Sequence, residues 1–100
     1  MLHKVGPLAN LDKKLMIGVE VEQKHILISH LDGKFYAIGN ECTHRHCKLS
    51  DGTIVGETVR CPCHGSVFNL KTGEVIRGIA KNSEPHYVIK IENDEIFIEW

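Results

Sequence analysis

The chain has 100 residues, of which 42% are hydrophobic and 25% charged, and a formal net charge of -1. That suffices for one domain, which buries about two-thirds of the surface its unfolded chain exposes and has little core to spare for a large substrate cavity. The near-neutral charge disfavours a nucleic-acid binder, no apolar run of roughly 18 residues offers a membrane span, and Met1–Pro7 lacks the apolar centre of a secretion signal.

A cytoplasmic protein with no membrane segment is therefore expected. In that reducing compartment the four cysteines suit metal binding or redox chemistry better than a disulfide scaffold.

In chain order, residues 8–15 hold at most a turn of helix. "KLMIGVEV" (14–21) alternates apolar and acidic residues at its end and reads as a strand. "HILISHL" (25–31) and "KFYAIG" (34–39) read as two strands around the tight-turn dipeptide Asp32-Gly33. "TIVGETVR" (53–60) breaks into a strand pair at Gly56-Glu57. "SVFNLKTGEVI" (66–76) turns at Lys71-Thr72-Gly73, and "HYVIKIENDEIFIEW" (86–100) alternates on both sides of Asn93-Asp94. Many short strands at close spacing predict an all-β fold, a small antiparallel sandwich or barrel.

All four cysteines fall in two short stretches between strands, "CTHRHC" (42–47) and "CPCHGS" (61–66). The first stretch gives Cys42-x-His44 and the second Cys61-x-x-His64. If the two loops face each other, two thiolates and two imidazoles converge, a set that suits zinc or an iron–sulfur centre. Zinc sites of this composition usually pair Cys with Cys and His with His along the chain. Here each loop supplies one of each, as a two-iron cluster needs if both loops reach both irons.

On these residues "CTH…CPCHGS" resembles the Rieske [2Fe–2S] motif. "LSDG" (49–52) and "KTGEV" (71–75) are similar to soluble Rieske-type ferredoxins, and the likeness covers most of the chain. The resemblance implies one Rieske domain over residues 1–100, with a two-loop cluster-binding subdomain at about 40–50 and 61–69. It implies a [2Fe–2S] cluster with Cys42 and Cys61 on one iron and His44 and His64 on the other. Neutral imidazoles in place of thiolates lower the negative charge. They lift the potential from about −400 mV for plant-type centres into a range of about −150 to +300 mV. Loss of an imidazole proton in the oxidised state would make that potential fall at high pH.

The resemblance also bears on the neighbours of the ligands. Cysteines at the positions of Cys47 and Cys63 form a disulfide in high-potential Rieske proteins; free thiols are the alternative. Ser66 matches a serine that hydrogen-bonds a bridging sulfide, which raises the potential. Those proteins have a tyrosine where this chain has Phe68, so the potential is expected below theirs. Gly65 is expected to take positive φ or let the backbone approach the cluster. Pro85 either belongs to a third loop over the cluster or opens the last hairpin. Arg45, Lys48, Arg77 and Lys81 could set positive charge around the site, and His46 could shield it.

A cluster with four protein ligands leaves no open position for substrate. An electron carrier rather than an enzyme is expected, a monomer passing one electron from a flavoprotein reductase to an acceptor such as an oxygenase. A Rieske subunit of a quinol-oxidising complex is the alternative, disfavoured because no anchor or inter-strand insertion is seen. A structural zinc module is a further alternative, disfavoured by ligand order.

Overall fold

The computed structural model describes residues 2–9, 16–31, 33–41, 47–63, 65–78 and 82–100. Ten strands account for most of them: β1 Leu2–Pro7, β2 Met16–Val21, β3 Lys24–Leu31, β4 Lys34–Gly39, β5 Thr53–Val55, β6 Thr58–Arg60, β7 Val67–Asn69, β8 Val75–Arg77, β9 His86–Glu92 and β10 Glu95–Glu99. A 3₁₀ turn at Leu49–Asp51 follows the first Cys/His stretch.

The strands form two antiparallel sheets. One has six strands in the order β1-β10-β9-β4-β3-β2, and its two edge strands approach each other, so it is nearly closed into a barrel. The other has four, in the order β5-β6-β7-β8. Local hairpins build most of both. Two-residue turns join β2 to β3 at Glu22-Gln23 and β9 to β10 at Asn93-Asp94, all four residues having positive φ. That is the type I′ geometry whose twist matches the flanking strands.

β3 explains how the layers stack. Ile26, Leu27, Ile28 and Ser29 are all fully buried, although a strand with one wet face would alternate. Ile26 and Ile28 point into the barrel and pack with Ala37, Ile96 and Ile98. Leu27 points the other way and, with Ile38 of β4, meets Leu49, Val59, Cys61, Phe68 and Leu70 of the second layer. Each such leucine or phenylalanine contributes roughly 1.5–3 kcal/mol on burial. The interlayer core therefore fixes the four-stranded sheet against the barrel.

The hairpins expected at 25–39, 53–60, 66–76 and 86–100 are present. Two boundaries differ from the sequence reading. β1 was not expected: "LHKVGP" is short and ends in Gly-Pro, and its register on β10 shifts between Lys4 and Gly6, which breaks the two-residue period. The second cysteine loop also ends at Ser66, because Val67–Asn69 is strand and its Phe68 is core. The helical turn expected within 8–15 falls mostly outside the described residues. No helix among the described residues is long and apolar enough to cross a membrane.

Candidate metal centre

Loop one leaves β4 at Gly39 and returns at the 3₁₀ turn. Its base is tied by Asn40, which is 2% exposed. The Asn40 N–H donates to the His25 carbonyl (2.9 Å), and its own carbonyl accepts from the Leu49 N–H (2.7 Å). Its side-chain amide donates to Ser50 Oγ (3.0 Å) and accepts from the Ser50 N–H (2.8 Å). One buried side chain thus holds both ends of the loop together. The sequence reading missed Asn40, since a lone asparagine after a strand carries no specific signal.

Loop two joins β6 to β7 and folds back on itself. The Cys61 N–H donates to the Ser66 carbonyl (2.8 Å), and the Gly65 N–H donates to the Cys61 carbonyl (3.1 Å). The reversal needs φ of +75° at Gly65, a value that favours glycine. Ser66 is fully buried. Behind it stands Gly78 at φ +106°, where an added Cβ would sit 2.7 Å from Ser66 Oγ.

A disulfide between Cys47 and Cys63 clips loop one to loop two, with their Cα atoms 6.4 Å apart. Closing a loop of this length removes unfolded-state entropy worth about 3 kcal/mol. The pairing is the one the resemblance implied.

Cys61 stands apart from the clip. It is a free thiol, 2% exposed, on the interlayer core with Phe68, Leu49 and Val59. Cys42, His44 and His64, the other three expected ligands, lie outside the described residues, as do Arg45, His46 and Lys81. Accordingly no group of three or more metal-competent side chains occurs among the described residues.

What the structure does bring together fits an iron–sulfur centre. A buried free thiol, Cys61, stands near the disulfide that joins the two cysteine stretches, with a glycine where the backbone must fold close. A groove of about 320 Å³ opens beside it, lined by Asp51, Gly52, Thr53, Arg60, Cys61, Pro62, Cys63 and Gly65.

Other sequence candidates sit elsewhere. The Pro85 carbonyl accepts from the Gly39 N–H (2.8 Å), which places Pro85 at the base of loop one as the opening of β9. His3 stacks on Trp100, His30 stacks on Phe35, and His25 lies 3.4 Å from Glu41. These histidines belong to the barrel strands.

The profile of the Rieske [2Fe-2S] domain family matches residues 1–91. The ferredoxin component of the naphthalene 1,2-dioxygenase system of Pseudomonas putida is 33% identical over 84 residues, 84% of this chain and 81% of that protein. The ferredoxin subunit of the 3-phenylpropionate/cinnamic acid dioxygenase of Shigella boydii is 35% identical over 75 residues, 74% of this chain and 71% of that one. Among solved structures, a ferredoxin of Sphingomonas yanoikuyae B1 superposes with a TM-score of 0.88 at 24% identity, covering 97% of this chain and 96% of that one.

A barrel with a clipped two-loop cap, and these matches, define an iron–sulfur protein of the ferredoxin type. The chain belongs to the Rieske [2Fe–2S] domain family, and its cofactor is a [2Fe–2S] cluster.

Proposed function

We propose that Cys42 and His44 of loop one and Cys61 and His64 of loop two hold the cluster, within one domain of residues 1–100. The chain then acts as a soluble, cytoplasmic, monomeric electron carrier. It takes one electron from a flavoprotein reductase and passes it to an oxygenase-type acceptor. Its likeness to ferredoxin components of dioxygenase systems supports that partner class.

The observation that carries this reading is the division of labour between the cysteines. Cys47 and Cys63 are consumed by the clip, while Cys61 is a free, buried thiol that packs on the interlayer core and lines the groove beside the clip. When bound, the cluster supplies a one-electron redox couple. The protein's part is to hold the two loops at fixed separation, exclude water from the thiolate side and leave the cap exposed to partners.

Cys61→Ser is expected to yield a colourless protein without iron. The Cys47→Ser/Cys63→Ser double variant is expected to retain the visible spectrum and lose thermal stability. Retention of a native spectrum by Cys61→Ser would contradict the ligand assignment. Zinc in place of iron in the unsubstituted protein would contradict the function.

A further inference from the structure

The four-stranded sheet has two faces. Ile54, Val59, Phe68 and Val75 pair across it in one row and pack on the interlayer core. The next row, Thr53–Arg60–Val67–Arg77, faces away from that core and lies directly beside loop two. Thr53, Arg60 and Arg77 are exposed, whereas Val67 between the two arginines is 7% exposed. Arg60 lies along the loop: a Cβ built on Gly65 would stand 3.1 Å from its Nη2 and 3.2 Å from its Nε.

Neither arginine has an ion pair or hydrogen bond from its side chain among the described residues. Other cations do: Lys4 pairs with Glu95, Lys71 with Glu57 and Lys90 with Glu99. Lys48, next to the clip, is also exposed and without such a pair among the described residues. Among the described residues, Asp51 is the one carboxylate lining the groove beside Arg60.

The backbones at Arg60 and Arg77, two strands apart in the sheet, are spaced about 10 Å by ordinary strand geometry. That is near the Debye length at physiological salt, so the two charges add to one local positive field, in a chain whose net charge is -1. A planar guanidinium with no internal partner is suited to bidentate capture of a carboxylate.

We propose that this arginine row is a docking face for an electron-transfer partner whose electron port is rimmed by carboxylates, with Arg60 and Arg77 steering and orienting the encounter. The proposal rests on the reading that the cluster lies between the two loops, since Arg60 adjoins Cys61 and a partner seated on the row would stand beside that thiolate. Two cations in one short row make a contact point rather than a phosphate track, which favours an acidic protein over a nucleic acid.

The test uses the loaded protein, reduced and then mixed with hexacyanoferrate(III), an anion, or hexaammineruthenium(III), a cation. In either case one electron leaves the protein and reduces the metal complex by one unit, with no bond or proton exchanged. The unsubstituted protein is expected to react with the anion at a rate that falls with salt. In Arg60→Gln/Arg77→Gln that rate at low salt falls roughly tenfold and the salt slope flattens, while the rate with the cation rises. Added poly-L-glutamate slows the hexacyanoferrate reaction of the unsubstituted protein and not that of the variant. The variant's paramagnetic spectrum and thermal midpoint stay unchanged, which separates docking from folding. Equal rates, salt slopes and poly-L-glutamate responses in the two proteins would overturn the proposal. A protein with no reducible cluster would instead overturn the function on which it rests.

Discussion

Cys61 and Cys63 stand two residues apart, and the backbone between them decides their chemistry. Cys61 directly follows β6, on the side of the core-facing Val59, so its sulfur is dry. Cys63 is carried out onto the turn, where it meets Cys47. The cysteine and histidine spacing was legible in the sequence because soft ligands are rare and clustered. So was Gly65, because the loop had to reverse. Asn40 and the Arg60–Arg77 row were not legible, since each depends on which segments the fold brings side by side.

Phe68 is fully buried against Cys61 in the interlayer core. Phe68→Tyr places a hydroxyl there that can donate to ligand sulfur and favour the reduced cluster. Each kcal/mol of such preference is worth about 40 mV for one electron, so potentiometry is expected to show a rise of some tens of mV. An unchanged potential would contradict the role given to this position.

Tyr87 adds a pH effect. Burial, and then the nearby Glu84 carboxylate, raise its phenol above the ordinary value of 10.0. The folded state thus favours the neutral phenol more than the unfolded state does. That stability is fully present below the unfolded value and is lost as pH rises through the folded one. Alkaline unfolding, followed by the fluorescence of the single tryptophan, Trp100, is expected to lose its steepest part in Tyr87→Phe. The two rings meet edge-on at 5.7 Å, so that signal reports locally.

At the scale of elements, period-two alternation revealed the hairpins because their partners lie close in sequence. The turn between β3 and β4 was readable for the same reason, Gly33 having φ +78°. Pairings between distant segments, β4 with β9 and β1 with β10, were not readable. They are chosen by packing, with no local signature. The β2–β3 turn shows the converse, since Glu22 and Gln23 hold φ of 50° and 67° although neither residue favours it. Here the flanking strands impose the turn. Gln23→Gly is expected to raise stability by about 0.5–1 kcal/mol, because relief of left-handed strain outweighs the added unfolded-state entropy. A denaturant midpoint that falls instead would mean that the Gln23 side chain stabilises the hairpin.

At the scale of the whole molecule, a nearly closed barrel provides a rigid floor and the four-stranded sheet carries the loops over it. The all-β class and its antiparallel sheets followed from the sequence, because strand length and turn residues agreed. The stacking of the sheets followed from none of these. It rests on β3 being buried on both faces, which shows in the run "ILIS" only once the partners of Leu27 are known. The Cys47–Cys63 clip then ties the end of the segment that leaves β4 to the segment that follows β6.

The most direct measurement is the electron paramagnetic resonance spectrum of the chemically reduced protein. Two histidine and two cysteine ligands are expected to give a [2Fe–2S] signal whose average g value lies below that of all-cysteine clusters. A signal of the all-cysteine type would mean that the assigned histidines are not ligands, and a silent, colourless protein would contradict electron transfer altogether.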